Sequence, residues 1–251
     1  MNRSHAFKPF VWGAPQRNAF LAFHPWMAEG MPTEGRAAKE ARRELVEHLR
    51  RSGYVTTDLV EAAMLAVPRE LFVPPHNRPA SYADHPLDIG HGQTISAPHM
   101  VAIMVEAMEP REGLRVLEVG GGSGYHASVI AEAIGSRGHV WSVERIEPLA
   151  AAARKNLELA GYAERVTVLV GDGSCGWPEH APYDRISVAC AAPSVPDPMR
   201  AELADGGSLL VPVGGPYVQE LLRVTRRGDR FDVEDLGGCV FVPLRGRCGY
   251  S

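Results

Sequence analysis

Arg115-Val116-Leu117-Glu118-Val119-Gly120-Gly121-Gly122-Ser123-Gly124-Tyr125-His126-Ala127-Ser128-Val129-Ile130-Ala131 reads as a buried strand, a glycine turn and the start of a helix. That order is how an open α/β sheet presents backbone N–H groups to a nucleotide. The spacing sets the class. A dinucleotide fold uses G-x-G-x-x-G, whose last glycine would fall on Tyr125, whereas the run here is Glu118-x-Gly120-x-Gly122-x-Gly124. An acid two residues ahead of the glycines suits a cofactor with a methionine ammonium and carboxylate and no pyrophosphate, namely S-adenosyl-L-methionine.

Two further runs support this reading. His139-Val140-Trp141-Ser142-Val143-Glu144 ends in an acid twenty residues past Gly124, where a doubly wound sheet delivers a carboxylate to a ribose diol. Arg165-Val166-Thr167-Val168-Leu169-Val170 runs into Gly171-Asp172-Gly173, whose glycines permit close approach while Asp172 accepts from an adenine amine. Glu118 would then meet the methionine ammonium or tie down the loop. Trp177 follows as a cover for the adenine or as core beneath a loop. The expected fold is α/β: a doubly wound, mostly parallel, Rossmann-like methyltransferase sheet.

Composition narrows the setting. The chain has 251 residues and a formal net charge of -4 with no block of Lys or Arg, which argues against a nucleic-acid partner. Cys175, Cys190, Cys239 and Cys248 form no C-x-x-C pair, so no metal site is expected, and all four read as reduced thiols. No stretch approaches a membrane span and no continuous apolar segment follows Met1 to Phe10, so a cytoplasmic protein without a membrane partner is expected.

Residues 1–35 carry Pro9, Pro15, Pro25 and Pro32 among Phe7, Phe10, Trp12, Phe20, Phe23 and Trp26 with no period. They read as an irregular extension that packs as a cover, ahead of a methyltransferase domain over 36–251. Glu34 to Arg51 reads as a helix. A second starts at Asp58 with Glu61 completing a capping box and stops at Pro68. A third starts at Pro98. Strand and helix alternate from Arg115 to about Pro212, and Glu220 to Thr225 with Cys239 to Pro243 read as a closing antiparallel pair.

Upstream of the glycine loop stand Val67-Pro68-Arg69-Glu70-Leu71-Phe72-Val73-Pro74, Tyr82-x-Asp84 and Ile89-Gly90-His91-Gly92-Gln93-Thr94-Ile95-Ser96-Ala97-Pro98. Downstream are Pro212-Val213-Gly214 and Phe241-Val242-Pro243-Leu244. Together these resemble the protein-L-isoaspartate O-methyltransferase family from about Ala37 to Leu244. The resemblance implies S-adenosyl-L-methionine as methyl donor, S-adenosyl-L-homocysteine as product, and a protein or peptide substrate carrying isoaspartate or aspartate. It implies that Ser96 contacts the substrate carboxylate with Thr94 in support. Gly120, Gly122, Ser123, Gly124, Glu144, Arg145, Asp172 and Gly173 would join Glu118 around the cofactor. Asp84, His91, His99, Val242, Pro243 and Leu244 would face the peptide. The chain departs from the family pattern at Gly121 and Ala189, where Thr is usual, and at Asp88. A monomer is the working expectation.

The chemistry fits this residue set. A side-chain carboxyl with a pKa near 4 is already ionised at pH 7, so methyl transfer to it needs no general base. A cationic donor and an anionic acceptor become two neutral products, so a cation clamped on the attacking oxygen would stabilise the ground state more than the transition state. A neutral hydroxyl such as Ser96 orients the carboxylate without that penalty; its other reading is an N-cap for the helix at Pro98. Competing functions are aspartyl methylation that installs an aspartimide in a ribosomally made peptide, and a cofactor-binding protein without turnover.

Overall fold

Beginning at the amino end of the described residues, α1 (Arg36–Arg51) buries Ala38, Arg42, Leu45, Val46 and Leu49 on one face, the three-and-four spacing of an amphipathic helix. The computed structural model describes residues 35–250; the extension expected ahead of them, with its aromatic residues, lies outside the described residues. Buried Arg42 donates to the carbonyls of Leu65 and Ala66 at 3.0 and 3.1 Å. These close α2 (Asp58–Ala66), whose unpaired C-terminal carbonyls favour a cation. The cap of α2 differs from the expected box. Thr57 is the N-cap and its side chain accepts from the Val60 amide, while Asp58 and Glu61 both turn to Arg50, at 2.7 and 2.9 Å.

Two 3-10 turns, Arg69–Phe72 and Pro75–Ala80, lead to a hairpin of β1 (Leu87–Gly90) and β2 (Gln93–Ile95). Its tip turns through Gly90, His91 and Gly92, all with positive φ. α3 (Pro98–Ala107) follows, with Ala97 as an N-cap that makes no side-chain bond.

The sheet then builds from β3 (Arg115–Val119), α4 (Tyr125–Ala133), β4 (His139–Glu144), α5 (Glu147–Ala160), β5 (Val166–Val170) and β6 (Tyr183–Val188). α6 (Asp197–Ala201), β7 (Leu203–Gly214), β8 (Gln219–Arg227) and β9 (Arg230–Cys239) complete it. The strand order is β5-β4-β3-β6-β7-β8-β9. Strands β3 to β7 pair in parallel, and β8 and β9 add antiparallel to that edge. This bears out the expected doubly wound, mostly parallel α/β sheet with a closing antiparallel pair. Order reverses at β3, which lies between β4 and β6, and the crevice at the carboxyl ends of those strands is where such sheets bind ligands.

The closing pair runs elsewhere than expected. β8 pairs with β9 from Arg227↔Arg230 to Gln219↔Cys239, so Cys239 ends the last strand instead of starting it. β9 is an edge strand carrying Asp232, Glu234 and Asp235, and charge on an edge guards against pairing with other chains. Its polar character hides it from a search for apolar runs. Residues after it instead reach the centre of the sheet, where Pro243 bridges Ala191.

Candidate active site

The glycine loop leaves β3 and is held from the next strand. The amides of Gly120 and Gly121 donate to the Val143 carbonyl at 2.9 and 3.1 Å, and the Gly122 amide donates to Glu144 Oε2 at 2.9 Å. Glu144 Oε1 accepts from the Ile146 amide at 2.8 Å, so this buried carboxylate ties the loop to the start of α5. Each of its oxygens keeps a lone pair for a further donor. Gly124 caps α4 in the left-handed region with no side-chain bond, which leaves the positive end of that helix without a capping side chain. A Cβ on Gly124 would stand 3.3 Å from Leu157; the bare backbone lets α5 pack close.

A cleft opens beside this loop. Gly120, Gly122, Glu144, Arg145 and Gly173 line one part of it. Thr94 of the hairpin and Val242, Pro243 and Leu244 of the last segment line the rest. Gly173 is needed for closeness, since a Cβ there would lie 3.0 Å from Val143 and 3.1 Å from Val119. The hairpin reaches the loop through Ile89, whose Cδ1 lies 3.4 Å from where a Cβ on Gly122 would be.

Other expected site residues stand off the cleft lining. Glu118 is fully buried behind the loop; its Oε2 accepts from Ser142 Oγ at 2.5 Å, and His126 Nδ1 lies 3.0 Å from its Oε1. Ser123 is buried and its carbonyl accepts from Asn156. Asp172 is exposed, and its two carboxylate oxygens accept from the amides of Ser174 and Arg247, each at 2.9 Å. Burial alone would raise its pKa, but those bonds hold its carboxyl below the usual range. Trp177 packs over Gly171, 2.9 Å from where a Cβ would be, and lines a separate, open cavity with Asp172.

Ser96 follows β2 half-buried. Its carbonyl is gripped by Arg69 Nη2 at 2.8 Å, and Arg69 is wholly buried with its guanidinium 4.8 Å from the Tyr125 ring centroid. Ser96 is not the cap of α3. Asp84 takes that role from outside the helix, its Oδ1 accepting from both the His99 amide and His99 Nδ1 at 2.9 Å. His91 sits exposed at the hairpin tip.

The cysteines divide in two. Cys190 and Cys239 are buried free thiols; burial, helped by the charges of Glu144 and Glu118, pushes Cys190 up to about 12, so it stays a neutral thiol. Cys175 and Cys248, expected to be reduced, form a disulfide. Sequence spacing could not show it, because their proximity depends on the tail returning to the turn after β5.

Ser142 and His126, the partners of Glu118, escaped the sequence reading. Ser142 had a signal: it is a lone small polar residue inside an apolar strand, two positions before the terminal acid. Among the described residues no helix is long and apolar enough to cross a membrane.

Comparison with known proteins agrees with this architecture. The family model described as Protein-L-isoaspartate(D-aspartate) O-methyltransferase (PCMT) matches residues 40–249. A protein-L-isoaspartate O-methyltransferase of Hyperthermus butylicus is 53% identical over 84% of this chain and 91% of its own length. Another, of Methanothrix thermoacetophila, is 54% identical over 84% of this chain and 97% of its own. Among solved structures, a putative protein-L-isoaspartate O-methyltransferase of Plasmodium falciparum, in complex with S-adenosyl-L-homocysteine, superposes with a TM-score of 0.71 at 26% identity. It covers 81% of this chain and 98% of its own.

Proposed function

The chain belongs to the protein-L-isoaspartate(D-aspartate) O-methyltransferase family, and on that premise we propose that it is an S-adenosyl-L-methionine-dependent enzyme methylating isoaspartyl carboxylates in proteins. The neighbouring backbone nitrogen then attacks the ester carbonyl and expels methanol, and hydrolysis of the resulting succinimide by water returns part of the chain to the ordinary aspartyl linkage, which is repair. The observation that carries the reading is the family match over residues 40–249 together with a cleft that joins glycine loop, hairpin and last segment.

The residues present fit the cofactor. Gly120 and Gly122 line the cleft without side chains, Glu144 offers a buried carboxylate beside them, and the N-terminus of α4 lacks a capping side chain. When bound, S-adenosyl-L-methionine supplies an electrophilic methyl group. Glu144 is assigned to the ribose hydroxyls, with Arg145 and Gly173 on the same wall. Thr94 and the Val242–Leu244 stretch stand on the substrate side.

Ser96 is assigned to the acceptor carboxylate. Its backbone is fixed by a buried guanidinium through the carbonyl, which leaves the hydroxyl to orient an anion that needs no deprotonation. Arg69 lies beneath this segment and donates from Nε and Nη2 to the carbonyls of Ser81 and Ser96. The group assigned to the attacking oxygen, the Ser96 hydroxyl, is neutral, which suits a charge-annihilating transfer.

The test is release of S-adenosyl-L-homocysteine with paired isoaspartyl and aspartyl forms of several unrelated peptides. Turnover on the isoaspartyl members is expected. Activity confined to a single aspartyl precursor peptide would overturn the repair reading.

A further inference from the structure

Glu118 and Ser142 are partners in the register of β3 and β4, side by side on one face of the parallel sheet. Both are buried, Glu118 completely. The Ser142 hydroxyl gives the carboxylate a hydrogen bond at 2.5 Å, while Glu118 Oε1, though 3.0 Å from His126 Nδ1, makes no hydrogen bond of acceptable geometry. A carboxylate without water depends on its donors, and losing one leaves it to seek another.

The second position of the glycine loop lies against this pair. A Cβ on Gly121 would stand 2.3 Å from Ser142 Oγ and 3.7 Å from Glu118 Oε2. The bare α-carbon is what admits the Ser142 hydroxyl between loop and carboxylate. Gly121 does not have the positive φ of its neighbours Gly120 and Gly122. Its backbone would accept a side chain were the hydroxyl not there.

We propose that Ser142 is a positioning residue for the cofactor: its hydroxyl pins Glu118 beneath the glycine loop, so that the loop amides keep their bonds to Val143 and Glu144. Without it, Glu118 reaches for a loop amide and distorts the cradle. The same hydroxyl could be supplied from position 121, because the two side chains compete for one space. This rests on the cofactor assignment made above, and deepens it.

The experiment measures S-adenosyl-L-homocysteine affinity by calorimetry on the full chain, with KM and kcat for an isoaspartyl peptide alongside. Ser142→Ala is expected to weaken cofactor binding about 10- to 100-fold, the size of a lost hydrogen bond to a charged group, while the peptide KM holds. Ser142→Ala combined with Gly121→Ser, which moves the hydroxyl across the gap, is expected to return to within about threefold of wild type. A merely structural serine would not be rescued in this way. Should Ser142→Ala not fold, Ser142→Cys keeps the shape with a weaker donor and is expected to bind more weakly than wild type. Wild-type affinity in Ser142→Ala or Ser142→Cys, or a double variant no better than Ser142→Ala, overturns the proposal. Wild-type protein that binds the cofactor but ignores isoaspartyl peptides would overturn only the substrate reading; one that binds no cofactor would overturn both.

Discussion

Cys175 and Cys248, 73 residues apart, are joined by a disulfide with their Cα atoms 5.2 Å apart. Cys175 lies just past the Gly171-Asp172-Gly173 turn and Cys248 in the tail beyond β9. The Cys248 amide also donates to Ser174 Oγ at 3.0 Å, and the Arg247 amide to Asp172. The turn supplies one wall of the cleft through Gly173 and the tail another through Leu244. The bond therefore staples two walls of the same site.

Reduction should loosen that staple. Closing a loop of this length removes denatured-state entropy worth about 4 kcal/mol in the chain-entropy view, and for a domain of this size about 2–4 °C of melting temperature goes with each kcal/mol. A dithiol reductant, or Cys248→Ser, is expected to lower the melting temperature by about 8–16 °C and to raise the cofactor KM. Unchanged melting and KM in protein shown by free-thiol titration to be reduced would refute this.

Asp84 is expected to act on stability first. Removing the distant cap of α3 by Asp84→Ala should cost about 1–2 kcal/mol, read by urea unfolding at pH 7. Burial alone would raise the Asp84 pKa, but the bonds from His99 outweigh it and hold the carboxyl below its ordinary value. The folded pKa is thus below the unfolded one of about 3.9. Its contribution is present above that value and is lost as pH falls through the folded pKa. The gap between wild type and variant should close below about pH 4; a gap that persists undiminished under those acid conditions would contradict this account.

Glu144→Ala strips the acceptor from the amides of Gly122 and Ile146 and, on the assignment proposed above, from the ribose of the cofactor. A loss of about 1–3 kcal/mol in S-adenosyl-L-homocysteine binding is expected. Asp172→Ala should instead act through the tail, since its oxygens hold Ser174 and Arg247, and its effect on binding should shrink once the disulfide is reduced. Calorimetry on both variants, with and without reductant, separates the two.

Ser96→Ala should lower the rate of methyl transfer by tenfold or more, about the worth of one orienting hydrogen bond, while cofactor affinity stays within about twofold. The Arg69 bond to its carbonyl keeps the backbone in place in the variant. Single-turnover kinetics at saturating cofactor read this directly, and wild-type turnover would remove Ser96 from the acceptor site.

The glycine loop, the parallel strands feeding it and the acid at the end of β4 were legible in the chain, because each is written in a few consecutive residues. Apolar runs of strand length, glycines where φ must be positive and a proline that stops a helix all act locally. The edge strand β9 is not legible in this way, because it is exposed on both faces along most of its length and carries acids on each, so its run does not look buried.

The sequence by itself determined the fold class, the cofactor loop and the family, since motif spacing and strand-helix alternation survive in one dimension. Only the tertiary structure decided which groups answer each other across the chain: Cys175 with Cys248, Asp84 with the first turn of α3, and Ser142 with Glu118 beneath Gly121. Each of these rests on strand register or on the path of a returning segment. Those are set by the packing of the whole core, and nothing in the local residues encodes the distance they close.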